Sequence, residues 1–197
     1  MTKRIILLAL LVLVSLMGCR ERIEPEADDF VEYGWILYAE RDFRGAYDEF
    51  TEALVLDSVY VDAHNGSGWC YTEFNNPDSA RYHFEIGLAL IIVDSVNVRF
   101  EMTAGLALTY HALEAYEEAI EQVGILYAER PLFEFSHDWR INYVDLIVVA
   151  ASSNVALGNF SQAYTWVRRY DGSFVTNVST LEGRADLIKK IEAIQNL

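Results

Sequence analysis

Proline, cysteine and basic residues are all scarce in this 197-residue chain: three Pro, two Cys, and 15 Lys plus Arg against 30 Asp plus Glu. Each shortage excludes something. A formal net charge of −15 at pH 7 leaves no positive footprint for DNA or RNA, whose affinity rests on Lys and Arg at phosphates. An acidic body is also repelled by an anionic leaflet within a Debye length of about 8–10 Å. There is no CxxC, no HExxH and no Gly-rich phosphate loop, and Gly66-Ser67-Gly68 lacks the flanking strand of a nucleophile elbow. The histidines at 64, 83, 111 and 137 are scattered, and His64, at a core position, reads as a satisfied interior side chain. No metal, cofactor or enzymatic activity is expected. Alternating strands of convincing length are missing too. Beyond Phe30 the apolar period is helical, and helix is also preferred for the ambiguous β-branched runs Ile91 to Val98 and Val144 to Val149.

The chain does have a short basic start, Thr2-Lys3-Arg4, followed by an apolar run from Ile5 to Leu16 broken by Ser15. About a dozen apolar residues suit a signal-peptide core better than a span of about 30 Å of hydrocarbon. The run ends Leu16-Met17-Gly18-Cys19, which resembles the lipobox of bacterial lipoproteins, with Met17 where Ala, Ser or Thr is commoner. The resemblance implies cleavage after residue 18 and acyl chains on Cys19; the alternative is an uncleaved anchor with an incidental cysteine. Two or more chains make a stable membrane attachment. Arg20 lacks the Asp that retains enteric relatives in the inner membrane, so the periplasmic face of the outer membrane is the expected address. Loss of Lys3 and Arg4 takes the formal charge from −15 to −17. With Cys19 lipidated, Cys70 is left alone in the apolar stretch Trp69-Cys70-Tyr71, an inert buried thiol with no disulfide partner. Arg20 to Asp29 reads as a tether of at most about 35 Å.

The folded part repeats. Phe43-Arg44-Gly45-Ala46, Pro77-Asp78-Ser79-Ala80, Tyr116-Glu117-Glu118-Ala119 and Phe160-Ser161-Gln162-Ala163 place their alanines 34, 39 and 44 residues apart. That is a 34-residue unit with insertions of five and then ten, the mark of a solenoid. The repeats, near 27–60, 61–94, 100–133 and 144–177, resemble tetratricopeptide repeats (TPRs), which are helix pairs with preferred residues at fixed positions. Repeat one has Phe30, Tyr33, Gly34, Leu37, Ala46, Phe50, Ala53 and Ser58; repeat two has His64, Ser67, Gly68, Tyr71, Ala80, Phe84, Gly87 and Ile92. Repeat three has Thr103, Leu106, Ala107, Tyr110, Ala119, Val123, Leu126 and Pro131; repeat four, the weakest, has Ile147, Ala150, Ala151, Asn154, Ala163, Val167, Tyr170 and Val175. The resemblance implies an all-α, right-handed solenoid of about four helix pairs over residues 30–197. Small residues at Gly34, Gly68, Ala107 and Ala151 let the first helix of each pair approach the second, and the aromatic at Phe50 or Phe84 fills the space between units. A capping box at Ser179 to Glu182 is expected to open a closing helix (179–196) that buries Leu181, Ile188, Ile191 and Ile194 and leaves Lys189, Lys190 and Glu192 to water.

In this family a second stripe of the first helix lines the concave groove. Its first position is acidic in all four units: Asp28, Asp62, Glu101 and Asp145. Farther along lie Trp35, Trp69, Leu108 and Ser152, and then Tyr38, Thr72, His111 and Val155. The partner-binding candidates are therefore Asp28, Trp35, Tyr38, Asp62, Asn65, Trp69, Glu101 and His111. They suit a protein or peptide segment with basic and apolar groups. Two plainer accounts stand beside this: acidic first turns favour the helix macrodipole, and the tryptophans pack on neighbouring helices or the tether. The carboxylate-clamp subset of the family needs Lys and Asn here, and Asn65 alone fits. The functional expectation is a membrane-anchored adaptor in envelope assembly. Its alternatives are a homo-oligomeric envelope element using Glu134 to Trp139 or the end cap, and a small-ligand binder using Trp35 and Trp69.

Overall fold

The computed structural model describes residues 24–91 and 96–196; Cys19 and the signal segment lie outside them. Nine helices occur among the described residues. They pair as α1 (Ala27–Ala39) with α2 (Phe43–Leu56), α3 (Val61–Glu73) with α4 (Pro77–Leu90), α5 (Val96–Ala112) with α6 (Tyr116–Glu129), and α7 (Tyr143–Ala156) with α8 (Phe160–Tyr170). Helix α9 (Leu181–Gln195) closes the far end against α7 and α8. Alternate helices α1, α3, α5 and α7 also touch in series, so they line one face of a right-handed all-α solenoid, as the family resemblance implies.

The turn inside each pair is one device used four times. Arg41, Asn75, Glu114 and Gly158 sit in the left-handed region at φ 67°, 53°, 59° and 76°. The next residue's N–H then donates back to a carbonyl of the last turn: Asp42 to Leu37, Asn76 to Tyr71, Ala115 to Tyr110 and Asn159 to Asn154, at 2.8–3.0 Å. These bonds satisfy carbonyls that the helix end leaves unpaired. The following helix starts on a side-chain cap where the residue allows it. Asp42 accepts from the Gly45 N–H and Asn76 from the Ser79 N–H.

The aromatic at the middle of α2 and of α4 is gripped from two sides. The Phe50 ring lies between Gly34 and Gly66, and the Phe84 ring between Gly68 and Gly105. A Cβ at Gly66 or Gly105 would stand 2.3 Å from the ring carbon it faces. Gly34 and Gly68 were legible as contact points; Gly66 and Gly105, one repeat on, supply the other jaw. Phe50 and Phe84 are wholly buried.

Several boundaries differ from the sequence expectation. Helix α1 takes Ala27 to Asp29 from the tether, because Glu26 and Asp29 form a capping box there. Ile91 is extended and ends α4, so the run from Ile91 is not continuous helix. Thr180, not Ser179, caps α9: its extended backbone lets Oγ1 accept the Gly183 N–H at 3.0 Å. In α9 Leu181 is outward (85% exposed) and Ile188 lies at the surface, while Leu187, Ile191 and Ile194 go in. Lys190 is not simply solvated; its Nζ meets Asp171 at 2.8 Å and ties α9 to the end of α8.

Candidate functional site

The inner face is not an open groove. The segment between α6 and α7, residues 130–142, turns back across it. Its two legs are joined by an antiparallel bridge between Glu134 and Asn142, by the Phe135 N–H donating to Ile141 (2.9 Å), and by the Tyr143 N–H donating to Phe133 (2.7 Å). Asp145 and Asn142 form the capping box that launches α7 from the second leg. Phe133 and Phe135 are buried, Phe135 at 1% exposure.

Phe135 enters the aromatic set that the sequence placed in the groove. Its ring stacks on Trp69, centroids 4.2 Å apart and planes 22° from parallel, and meets Trp35 and Tyr38 edge-on at 6.0 Å each. His137 stacks on Trp35. Trp35, Tyr38 and Trp69 are consequently buried.

A chain of polar contacts runs beneath the same loop. Trp35 Nε1 donates to Asp62 at 3.0 Å, and Asn65 Nδ2 donates to Asp62 (3.1 Å) and to Glu101 (2.8 Å). The Ser136 hydroxyl donates to the other Glu101 oxygen at 2.5 Å, and His137 Nε2 lies 4.0 Å from Glu101. Burial pushes both carboxyls above the usual range, Glu101 being raised further by Asp62. Burial also lowers His137, to about 4.

The other candidates lie apart from this cluster. Asp28 is exposed and accepts a hydrogen bond from the Tyr60 hydroxyl. His111 Nδ1 contacts Ser153 Oγ at 2.8 Å, toward α7. Six of the eight candidates thus meet under the loop, and Asp28 and His111 do not. The loop residues Phe133, Phe135 and Ser136 were missed as members of the site. The signal for the two phenylalanines was an alternation, Phe133-Glu134-Phe135-Ser136-His137, in which the odd positions go inward; it does not mark Ser136.

The loop leaves openings. A cleft of about 350 Å³ lies between the end of α1 (Tyr38, Ala39, Arg41) and the loop tip (Glu134–Arg140). Trp139 stands on its rim, 74% exposed. A second, of about 180 Å³, is lined by Thr72, Asn75, Leu108, Thr109 and Ala112 on the inner face of repeats two and three. Cys70 is buried and its thiol is pushed up by desolvation, as expected of an inert packing residue. No cluster of three or more His, Cys, Asp or Glu with metal-site geometry occurs among the described residues.

Solved structures share this architecture. The Pseudomonas aeruginosa PilF structure superposes with a TM-score of 0.59 at 15% identity over 83% of this chain and 67% of its own. PilW, described as a widely conserved type IV pilus biogenesis factor, gives 0.58 at 18% identity over 82% and 67%. A tetratricopeptide repeat protein from Parabacteroides merdae gives 0.54 at 15% identity over 87% of this chain and 59% of that one. The fold is the tetratricopeptide-repeat solenoid. No protein-family model matches the chain, and no curated protein matches it. At these identities the TPR likeness concerns architecture.

Proposed function

We propose that this protein is a TPR adaptor that holds a protein partner at the bacterial cell envelope, anchored by acyl chains on Cys19, with the outer membrane's periplasmic face as its place. The observation that carries the reading is Trp139. A tryptophan left 74% exposed on a loop whose opposite side is locked into the solenoid is a preorganised anchor. Large rigid aromatics supply contact area at low entropic cost and dominate interface energies. The cleft beside it, with Arg41 and Arg140 at its edge, offers a pocket for the partner's side chain. The architecture shared with PilF and PilW supports an envelope role for this chain.

Affinity capture from envelopes by the intact protein and by Trp139→Ala tests the contact. The expected result is loss of one or a few specific proteins from the variant's eluate. An unchanged eluate removes Trp139 from the interface, and a crosslinked ladder of self-multiples, abolished by the variant, turns the reading to self-association. Palmitate labelling tests the anchor: it is expected to vanish in Cys19→Ser, and label that survives overturns lipidation.

A further inference from the structure

We propose that loop 131–142 is a built-in occupant of a peptide groove, and that the groove's external ligand is an extended segment with an aromatic residue followed one or two positions later by Lys or Arg. This rests on the adaptor reading and names the chemistry its partner brings to the inner face.

Three observations converge. The first is the form of the occupant. Residues 133–137 cross the inner face as an extended leg, with one aromatic, Phe135, in a box of Trp35, Tyr38 and Trp69. That is how a bound peptide would lie: one aromatic seated, with neighbours on either side reaching the rim.

The second is that the fit is incomplete. The Tyr38 hydroxyl, the Trp69 Nε1 and the Asn65 Oδ1 are all buried with no hydrogen-bond partner among the described residues. Tyr38 and Trp69 touch Phe135 itself, and Asn65 is bonded to the carboxylate that Ser136 contacts. Covering polar groups without pairing them is costly, so the loop closes the groove without saturating it. A ligand whose backbone or side chains pair these groups competes with the loop on favourable terms.

The third is charge. Asp62 and Glu101 lie in the floor, and the loop brings Glu101 a hydroxyl and an imidazole held neutral by burial. No Lys or Arg of the described residues contacts either carboxylate. A cation placed where Ser136 or His137 now sits, one or two residues after the seated aromatic, supplies the charge-assisted bond that is missing. Closure by the loop then lowers apparent affinity in proportion to the fraction of molecules open.

The probe is the loop itself. Synthetic peptides of residues 131–142, unsubstituted and with Ser136→Lys or Ser136→Glu, are titrated into the intact protein and into Phe135→Ala, which empties the box. In Phe135→Ala the Lys peptide is expected to bind at least about tenfold tighter than the Glu peptide, and both more tightly than in the intact protein. A folded Phe135→Ala that binds none of them, or that ignores the Lys-for-Glu exchange, overturns the proposal. Should that variant not fold, the intact protein decides. Saturating Lys peptide is expected to speed hydrogen exchange at the Phe135 and Tyr143 amides while α1 to α5 stay protected, and unchanged exchange refutes displacement. Envelope capture without peptide binding refutes the groove and leaves the adaptor. Peptide binding without any captured partner does the reverse.

Discussion

The His137 ring lies flat on the Trp35 indole, centroids 3.6 Å apart and planes 7° from parallel. The pair joins loop to solenoid. It also fixes a protonation state, because a ring sandwiched there is desolvated and held near pKa 4. An unfolded or released loop would titrate at about 6.5. The released form therefore takes its proton first as pH falls, and the closed loop loses stability between pH 6.5 and 4. Proton NMR of His137 is expected to show the low value in the intact protein and a value near 6.5 in Phe135→Ala. A normal value in the intact protein would mean that the loop is open in solution.

The double grip on Phe50 gives a packing prediction. A methyl at Gly66 meets the Phe50 ring, so Gly66→Ala should cost about 1–3 kcal/mol by overpacking. Because the clash is with a single side chain, Phe50→Leu in the same chain should return part of that loss. Denaturant midpoints of the two single variants and the double variant measure the coupling. Additive costs would show that the glycine is kept for some other reason.

The turn device predicts a stabilising change. Glu114 occupies the left-handed region at φ 59°, where Gly158 stands in the fourth repeat. The conformation costs a side-chain-bearing residue about 1–2 kcal/mol, partly offset by the greater freedom of glycine in the unfolded chain. Glu114→Gly should gain about 0.5–1 kcal/mol and raise the melting midpoint. Glu114→Val, β-branched, should lower it.

The fold was legible in the sequence because its signals are local and repeated. The alanines at 46, 80, 119 and 163 and the small residues at 34, 68, 107 and 151 recur with each unit, and all eight contact points lie in helices. The inner-face stripe was also readable, since Trp35, Trp69, Asp62 and Glu101 follow from helical phase. What covers that stripe was not. Phe135 meets Trp69 across 66 residues of sequence, and no period links an insertion to the face on which it lands. The end cap differs for a smaller reason: α9 meets α7 and α8 with the face of Leu187, Ile191 and Ile194, and Leu181 and Ile188 lie to the side of that face.

The last prediction concerns a second pair of histidines. His64 Nε2 lies 3.3 Å from the Ser58 carbonyl, which can only accept, so Nε2 carries the proton. Neutral His64 then presents a lone pair at Nδ1, and His83 Nδ1, 3.2 Å away, must be the donor. Protonating His64 removes the lone pair that His83 donates to, and protonating His83 puts a charge into the buried pair. Burial lowers both, and His83, with His64 as a further cause, is brought to about 4. The unfolded chain takes up these protons near pH 6.5, so folded-state stability is full above that value and falls as pH drops toward 4. His83→Asn keeps an N–H donor for His64 and removes the titration. Urea unfolding from pH 7.5 to 4.5 should therefore show a shallower loss for the variant, with His64, His111 and His137 supplying the slope that remains. An identical slope would mean that His83 titrates normally and that the imidazole pair does not persist in solution.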